Sequence, residues 1–564
     1  SLKILDEHLE HGRAVLAERA RAARADEAPD LAGLIRKWGG VTIAYRKGMN
    51  ESPAYTRNHE EIIKAFEEGI YYAEGLEPKK VKTDRYGQVE ALVCSRAARG
   101  ADGKWVDTGR EVAIPARAIL VATGARPNVA YEFEHKGHFA KHKGQYLTHR
   151  DVDGALEPLT TLGHCKQDFG PFTSYGVDGH RVSFLGDTHP VFHGSVVKAI
   201  ASAQKTYPKI VATFGARADA RGDADEYRAF RDRMQDRLAA RVEKVERLAA
   251  GIVELTVRAP QAAARFRPGQ FFRVQTFETH APAVHGTPLQ TEPLALYGSR
   301  VDRDQGTVSM IVLETGASSR LIATLKPGDP IACMGPTGVR AFAAEKSGET
   351  WLYVGGLLGA AQFRTVGAAL RAGGNRVLYV AALDSAEQLF HQDELEAGAD
   401  AIVWVTREGA PIAPRRPQDR SVTGEVVDAM VQYACGALGE RPIRLEDVTK
   451  LWISGSSCFV RRVRDARARE LAPYLIGNPA TTASISTPMQ CMLKGVCSQC
   501  LQWQIDPKTG QRTKAVFGCS WQDQPLDIVD LDNLDERLSQ NRVQEHLANL
   551  WLDHLFESGK VARV

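Results

Sequence analysis

The sequence predicts a multidomain α/β chain that passes through successive architectures and ends in a small cysteine-bearing module. Three observations predict it. Short apolar runs with regular turn signals fill residues 239–345, the pattern of a small antiparallel β-barrel. From residue 350 strands alternate with glycine loops and helical stretches, as in a parallel sheet with crossover helices. Four cysteines, Cys491, Cys497, Cys500 and Cys519, then crowd one C-terminal segment.

The bulk numbers frame these elements. A chain of 564 residues holds roughly three or four domains, each with its own core. Hydrophobic content of 43% and charged content of 25% are ordinary for a globular protein. Seventy-two basic against 69 acidic residues leave a net charge of +3, without the basic footprint of nucleic-acid binding. No apolar run approaches the ~18 residues that span a bilayer. The first 30 residues, "SLKILDEHLEHGRAVLAERARAARADEAPD", mix acids and bases at helical spacing and lack the parts of a signal peptide. Nine cysteines, four of them clustered, argue against a secreted disulfide framework. The expected compartment is the cytoplasm. The chain opens on Ser and runs straight into a helix, as expected of a tag scar or of a processed or incomplete polypeptide.

In order along the chain, residues 1–38 read as a charged, Ala-rich helical segment. "GGVTIAYRKG" (39–48) opens a mixed α/β module over 39–215. In it "NHEEIIKAFEEGIYYAEG" reads as helix, 80–116 as strands and turns, "ARAILVATGARPN" (116–128) as a buried strand closing on a glycine turn, and 180–205 as strand, Gly-Asp turn, loop and helix. Residues 216–238 are charged, poor in large apolar side chains, and read as a linker helix. The barrel follows over 239–345, built from "RVEKVERLAAGIVELTVRAP", "RFRPGQFFRVQTF", "EPLALYGSRVD", "GTVSMIVLE" and "LKPGDPIACMGPTG". The parallel sheet covers 346–480, the cysteine segment 481–525, and an amphipathic helical tail, "DERLSQNRVQEHLANLWLDHLFES", lies within 526–564. There are no internal repeats or low-complexity tracts.

In the first half, "ILVATG" followed by "ARPN", then "FLGD" and a helix beginning at "GSVVKAI", resembles the pyridine nucleotide–disulfide oxidoreductase superfamily. Within it the match is to the flavoprotein small subunit of bacterial glutamate synthase. The resemblance implies a partial two-dinucleotide-binding flavoprotein fold. It puts Gly186 and Asp187 beside the ribityl and pyrophosphate part of FAD, and Gly194 and Ser195 at a helix start aimed at the flavin ring. Arg46 and Lys47, after "VTIAY", would lie near an adenosine ribose. The family's Gly-x-Gly-x-x-Gly turns are missing before residue 150, so FAD is implied here only if the missing half is supplied. The alternative is a degenerate flavin fold that binds nothing by itself.

Residues 236–525 resemble the ferredoxin–NADP reductase superfamily, and more narrowly the electron-transfer subunit of NAD-linked dihydroorotate dehydrogenase and similar subunits of bifurcating NADH–ferredoxin reductases. The elements that carry the resemblance are "RPGQFF" (267–272), "EPLALYGS" (292–299), "ETGASSRLIATLKPGD" (314–329), "GPTG" (335–338), "VGGLLGAAQF" (354–363) and "ISGSSCFVRRV" (453–463). It implies FAD on the barrel and NAD(P) on the sheet. The family's Arg-Pro-x-Ser is here Glu292, Pro293, Leu294 and Ala295, and an acid beside a pyrophosphate is repulsive. Flavin binding is then expected to lean on Tyr297 and Ser299, on the turn of Gly316, Ala317, Ser318 and Ser319, and on Arg320 as the replacement charge. Gly355, Gly356 and Gly359, after a predicted strand and opening a helix, are expected to cradle the nucleotide, although Leu357 stands where the family usually has another glycine. Gly455 and Ser456 are expected under the nicotinamide. Cys458 is expected to be a buried apolar cysteine rather than a redox group, and Cys94, Cys165, Cys333 and Cys435 to need only a packing role. His189 and His193 read as loop residues near the Gly-Asp turn.

The cysteine spacing is Cys491-x₅-Cys497-x₂-Cys500-x₁₈-Cys519. Structural zinc sites present two Cys-x₂-Cys knuckles, or a knuckle and a His pair. One knuckle with an early lone cysteine and a distant fourth favours a 2Fe–2S site, in which the loop wraps the cluster and Gly495 lets it fold back. Zinc stays open as the alternative, since the first gap is five residues where the similar families have four.

The expected function is an iron–sulfur flavoprotein that moves electrons between NAD(P)H and ferredoxin or a partner redox enzyme, possible partners including a 2-oxoacid:ferredoxin oxidoreductase-type enzyme, within a hetero-oligomer. No acid–base catalyst is required. The runner-up is a non-catalytic docking subunit with decayed flavin sites, marked by Glu292, Leu357 and the truncated first half, and one four-cysteine site for zinc or iron–sulfur. A glutamate synthase subunit is the third reading, without a glutaminase signal. NADH versus NADPH hangs on whether Arg407 faces the ribose.

Overall fold

The computed structural model describes residues 2–85, 87–124, 132, 135–142, 145–159, 168–217, 222–338 and 347–564. Cys165 and residues 125–128 of the expected strand at 116–128 lie outside the described residues. The chain divides into two compact units, 1–220 and 221–564. No helix among the described residues is long and apolar enough to cross a membrane.

The first unit opens with helices α1 (Leu2–Ala25) and α2 (Leu31–Lys37), the second started by the Asp30 side chain, which accepts from the Gly33 N–H. Strand β1 (Thr42–Tyr45) is followed by helix α3 (Pro53–Glu67). The expected helix through residue 75 is shorter and starts earlier. Ser52 caps it at the Tyr55 N–H, and it stops before Gly69, whose φ of 85° suits glycine. The aromatic run beyond it becomes β2 (Tyr71–Glu74), parallel to β1. β3 (Leu76–Thr83), β4 (Val89–Arg99) and β5 (Trp105–Pro115) make a three-stranded antiparallel sheet. The buried strand expected after it does not form in residues 116–124: Leu120 is 89% and Val121 80% exposed. A buried parallel strand is hydrogen-bonded along both edges, and no strand among the described residues pairs with this run. The strand expected at 181–185 is also irregular, held by one bond from Thr173 N–H to the Val182 carbonyl. The helix after it is present as α4 (Val196–Phe214), with Ser195 accepting from Lys198 N–H.

The second unit begins with α5 (Ala224–Leu238), capped by Asp223. The barrel strands are β6 (Arg241–Ala249), β7 (Ile252–Arg258), β8 (Phe271–Thr276), β9 (Leu294–Asp302) and β10 (Thr307–Leu313); a short helix α6 (Ala317–Leu321) precedes the last, β11 (Ile331–Thr337). Their order is β6-β7-β10-β9-β8-β11, all antiparallel. Bonds from Val242 N–H to Asp329 and from Ile331 N–H to Ala240 bring the first and last strands together. The interior is filled by Val242, Leu255, Phe272, Val274, Val308 and Met310, alternate residues of each strand, as a barrel requires.

A seven-stranded sheet follows. Its members are β12 (Thr350–Gly355), β13 (Arg376–Leu383), β14 (Ala401–Thr406), β15 (Arg420–Thr423), β16 (Lys450–Gly455), β17 (Ala480–Ile485) and, after two strands outside it, β20 (Asp523–Pro525). The outside pair, β18 (Leu501–Ile505) and β19 (Arg512–Phe517), forms a hairpin in the cysteine segment. The order is β15-β14-β13-β12-β16-β17-β20, parallel throughout except for β20. β14, "AIVWVT", is buried at every residue, as expected of a strand covered on both faces. Helix α7 (Leu357–Ala372) and α8 (Gln392–Ala397) cover one face; α9 (Val426–Ala434), α10 (Ser457–Arg467) and α11 (Leu531–Leu538) cover the other. Ile252 and Ile311 of the barrel join the core on the α7 side, so barrel and sheet share packing there. The tail, expected as one helix, is two: α11, then a 3₁₀ turn at Ser539–Asn541, then α12 (Arg542–Glu557).

Candidate functional site

The strand order reverses between β12 and β16: the chain runs outward from β12 to β15 and returns on the other side. Ligands of open α/β sheets bind at such switch points, outside the carboxyl ends of the strands. Gly355 and Gly455 end these two strands, and Gly356 and Ser456 are the first residues of the turns into α7 and α10, with Ser456 Oγ accepting from Phe459 N–H. The five nucleotide residues read from the sequence therefore converge. Gly359 makes the approach possible, since a Cβ there would fall 2.9 Å from the Ser454 carbonyl. At the end of β13 stands Asp384, paired with Arg407 at 3.0 Å.

Beside the switch point, barrel, sheet and cysteine segment meet in a narrow cleft lined by Phe271, Ala295, Tyr297, Leu358, Thr487, Met489, Gly518 and Gln522, among others. Its open volume, about 80 Å³, lies below the roughly 300–1,000 Å³ of preformed small-molecule sites, so the walls are nearly closed on one another. Two buried polar atoms, Thr487 Oγ1 and Gln502 Nε2, have no hydrogen-bond partner. Both flank Gly518, where a Cβ would meet them at 3.3 and 3.5 Å. Buried unpaired polar groups are costly, and here they border a space that a side chain would fill. The Tyr297 hydroxyl is held well above the usual phenol range, first by burial and then by the Asp523 charge. The lining, apolar with a few polar groups, has the chemistry of a flavin-ring site, but the space as it stands is too small to admit the ring.

The cleft abuts the cysteines. Phe271, Met489, Leu493, Cys500 and Cys519 form one apolar cluster, against which Tyr297 and Phe517 pack. The thiols stand as two pairs, Cys491 with Cys497 and Cys500 with Cys519, and the Cys491 charge reaches Cys519. Among the described residues no three His, Cys, Asp or Glu side chains converge to hold one metal ion. Burial pushes the Cys491 thiol up, but N–H groups of Cys497, Lys494 and Val496 outweigh it and bring the thiol down to about 7. The Cys519 hydrogen bond brings Cys500 down to about 6, against its burial and with help from nearby backbone N–H groups. Cys519 is raised by that same bond and by burial, because the pair gives up its second proton reluctantly. Left-handed backbone at Leu493, Gly495 and Ser498 curls the loop so that its N–H groups face the sulfurs. Four thiols, paired and surrounded by amide donors, fit a thiolate-ligated two-iron cluster. Arg273, bonded to the Gln490 carbonyl at 2.9 Å, lies within reach of the Cys491 and Cys497 charges.

Other expected residues are placed differently. Ser299 is buried, and its Oγ accepts from Arg364 Nη1 at 2.8 Å, which joins it to the contact between barrel and sheet instead of the cleft. In the turn 316–320, Ser319 Oγ caps Gly316 N–H, and Ser318 Oγ accepts from Glu292 N–H at 2.8 Å. Ala317 N–H donates to Glu545 of α12 at 3.0 Å, and Arg320 donates to Asn549 and pairs with Asp553. As it stands, the turn does not fit the pyrophosphate of FAD, because the chain's own tail engages it. In the first unit, Gly186, Asp187, Gly194 and Ser195 share one loop, closed by Gly194 N–H donating to Asp187 Oδ1 at 2.9 Å. His189 lies in the same loop, as expected, and is fully buried among Phe169, Phe184 and Phe192. Cys458, expected buried, is exposed on the first turn of α10, 3.9 Å from Asp535, because its side chain leaves the helix on the solvent side.

Sequence reasoning missed Thr487, Gln502, Gly518, Gln522 and Asp384, which carry no local motif. It also missed Glu545, Asn549 and Asp553, whose spacing of four along a helix was a readable sign of a polar contact stripe.

No family model matches the chain. An uncharacterized protein of Rickettsia prowazekii (strain Madrid E) is 24% identical over 544 residues, covering 92% of this chain and 58% of that protein. The chain thus spans a little under three fifths of that relative's length. The dihydroorotate dehydrogenase B (NAD(+)), electron transfer subunit, of Bacillus caldolyticus is 28% identical over 218 residues, 36% of this chain and 80% of the subunit. The corresponding subunit of Bacillus cereus (strain 03BB102) is 25% identical over 197 residues, 34% of this chain and 70% of the subunit. A solved structure of NADH-dependent reduced ferredoxin-NADP oxidoreductase superposes with a TM-score of 0.44 at 21% identity, covering 56% of this chain and 98% of that one. The C-terminal portion resembles the dihydroorotate dehydrogenase electron-transfer subunit. The glutamate-synthase-like reading of residues 39–215 is not carried by these relatives.

Proposed function

We propose that residues 239–525 form an electron-transfer module that links NADH, through FAD and a 2Fe–2S cluster, to ferredoxin or a partner redox subunit. The observation that carries this reading is the meeting of the narrow cleft and the two thiol pairs in one apolar cluster around Phe271, Met489, Cys500 and Cys519. A flavin, when bound, supplies the conversion between two-electron hydride and one-electron steps, which nicotinamide alone does not make. Phe271 and Tyr297 exclude water from the ring's place, while Thr487 Oγ1 and Gln502 Nε2 offer it a hydroxyl and an amide donor. Gly355, Gly356, Gly359, Gly455 and Ser456 present the starts of α7 and α10 to a dinucleotide. Asp384, an acceptor for ribose hydroxyls, selects NADH, and Arg407 is tied to it and not free for a 2′-phosphate.

Cys491 with Cys497 and Cys500 with Cys519 would each hold one iron, and the cluster would supply a one-electron exit. Zinc asks for four ligands on one point, which the pairing does not favour. In the first unit the loop with Gly186, Asp187, Gly194 and Ser195 would hold a second FAD once the rest of that fold is supplied. The setting is a cytoplasmic hetero-oligomer.

Absorption and metal analysis of the purified chain test the reading. Flavin bands near ~450 nm, with about two iron and two sulfide per chain, both bleached by NADH, support it. A colourless protein with one zinc ends it. A second reading, a docking subunit with a decayed flavin site, is favoured by one observation: the tail's hold on the turn 316–320.

A further inference from the structure

We infer that α12 is a self-docked strap over the barrel's expected phosphate turn, and that it lifts off before the ADP half of FAD binds there. The inference rests on the flavin reading above and adds a control to that site.

The strap's seat is built around a cation. Arg320 is only 9% exposed. Its Nη1 donates to the Asn549 carbonyl at 2.9 Å and to Asn549 Oδ1 at 3.4 Å, its Nη2 pairs with Asp553, and its guanidinium lies 5.4 Å from the centre of the Phe556 ring. Glu545 Oε1 accepts from Ala317 N–H, and a Cβ on Gly316 would fall 2.3 Å from that oxygen. The glycine is therefore what admits the carboxylate. Glu545, Asn549 and Asp553 recur every four residues and form one stripe of the helix.

Apolar contacts complete the docking. Leu552, Leu555 and Val561 pack on Val284, Leu289 and Leu321, and the chain end is fastened by Val564 N–H to the Ala323 carbonyl and by Arg247 to the Val564 carbonyl. This cluster is separate from the barrel interior, so its release leaves the barrel core in place.

The charges make the two occupants exclusive. A diphosphate beside Glu545 and Asp553 is repelled, and lifting the strap takes from Arg320 both its polar partners and the Phe556 ring against it. An anionic ligand supplies a new partner as the strap leaves. The strap and the diphosphate thus exchange at one guanidinium.

FAD titration of the flavin-free full chain, with amide hydrogen exchange over 542–557, tests this. The Glu545→Ala/Asp553→Ala double variant binds FAD about tenfold more tightly than the parent, and FAD speeds exchange over 542–557 in the parent. Leu555→Ala loosens the strap without changing its charge and shifts affinity the same way. Equal affinity in all three proteins, with exchange unchanged by FAD, overturns the strap and leaves the flavin reading standing. A double variant whose tail exchanges freely yet takes up no FAD overturns both.

Discussion

Arg364 Nη1 lies 2.9 Å from Glu254 Oε1, and this contact fastens α7, the first helix on the parallel sheet, to the barrel. The Arg364 side chain is wholly buried, and it also reaches Ser299 Oγ at 2.8 Å and Glu394 at 2.6 Å. His391 Nε2 approaches the other Glu254 oxygen at 3.2 Å.

Removing one partner leaves a buried charge unpaired. Glu254→Gln is expected to lower stability by about 3 kcal/mol, read as a lower urea midpoint. Burial pushes the Glu254 carboxyl up, but His391 and Arg364 outweigh it and hold it at about 2 against an ordinary 4.5. The native state thus stays ionised where the unfolded chain takes up a proton. Stability is full above pH 4.5 and falls by about 3 kcal/mol as pH drops toward 2. Glu254→Gln flattens that part of the profile.

His189 makes the first unit acid-sensitive in a higher range. Its Nδ1 accepts from Val191 and Phe192 N–H, and burial, then His193, lowers the ring from 6.5 to about 4. The folded ring is neutral where the unfolded one is protonated, so the unit loses about 3 kcal/mol as pH falls from 6.5 to 4. Amide exchange over 168–217 across that range measures it, and His189→Asn, which keeps an acceptor, removes the dependence.

Gly359→Ala puts a methyl 2.9 Å from the Ser454 carbonyl. Overpacking of this kind costs about 1–3 kcal/mol. The variant is expected to have a lower thermal midpoint and weaker NADH binding together, because the same close approach of α7 and β16 shapes the switch point.

Asp384→Ala frees Arg407 and removes the ribose acceptor. NADH affinity is expected to fall about tenfold, the scale of one charged hydrogen bond, while NADPH affinity rises. Titration of both nucleotides checks the change, and an unaltered ratio rejects Asp384 as the selector.

How much of this was legible in the sequence depends on how local the signal was. The barrel and the parallel sheet announce themselves through strand spacing and through runs such as "AIVWVT", which no half-exposed strand tolerates. The strand-to-helix turns that hold Gly355, Gly356, Gly359, Gly455 and Ser456 were legible because a glycine turn between strand and helix is a local motif. Ser299 was misplaced because its partner, Arg364, lies 65 residues away. The turn with Arg320 was read as open because its occupant comes from residues 545–553, more than 200 positions later. Residues 116–124 were misread as strand because an apolar run states the wish to be buried and not the presence of a partner. Thr487, Gln502 and Gly518 were illegible for the same reason: only the fold sets them around one space.

The cysteine segment leaves the sheet at the end of β17 and returns as β20, whose Asp523 pairs with Ser484 of β17. Its entrance and exit are therefore neighbours on one edge. A segment closed in this way is a side loop whose ends the sheet already holds together, so ordering it adds little closure cost to the rest of the chain. If the four thiols take up iron as proposed, loading is a late and local event: the barrel and sheet mature first, and the cysteine loop is filled or emptied with the surrounding fold intact.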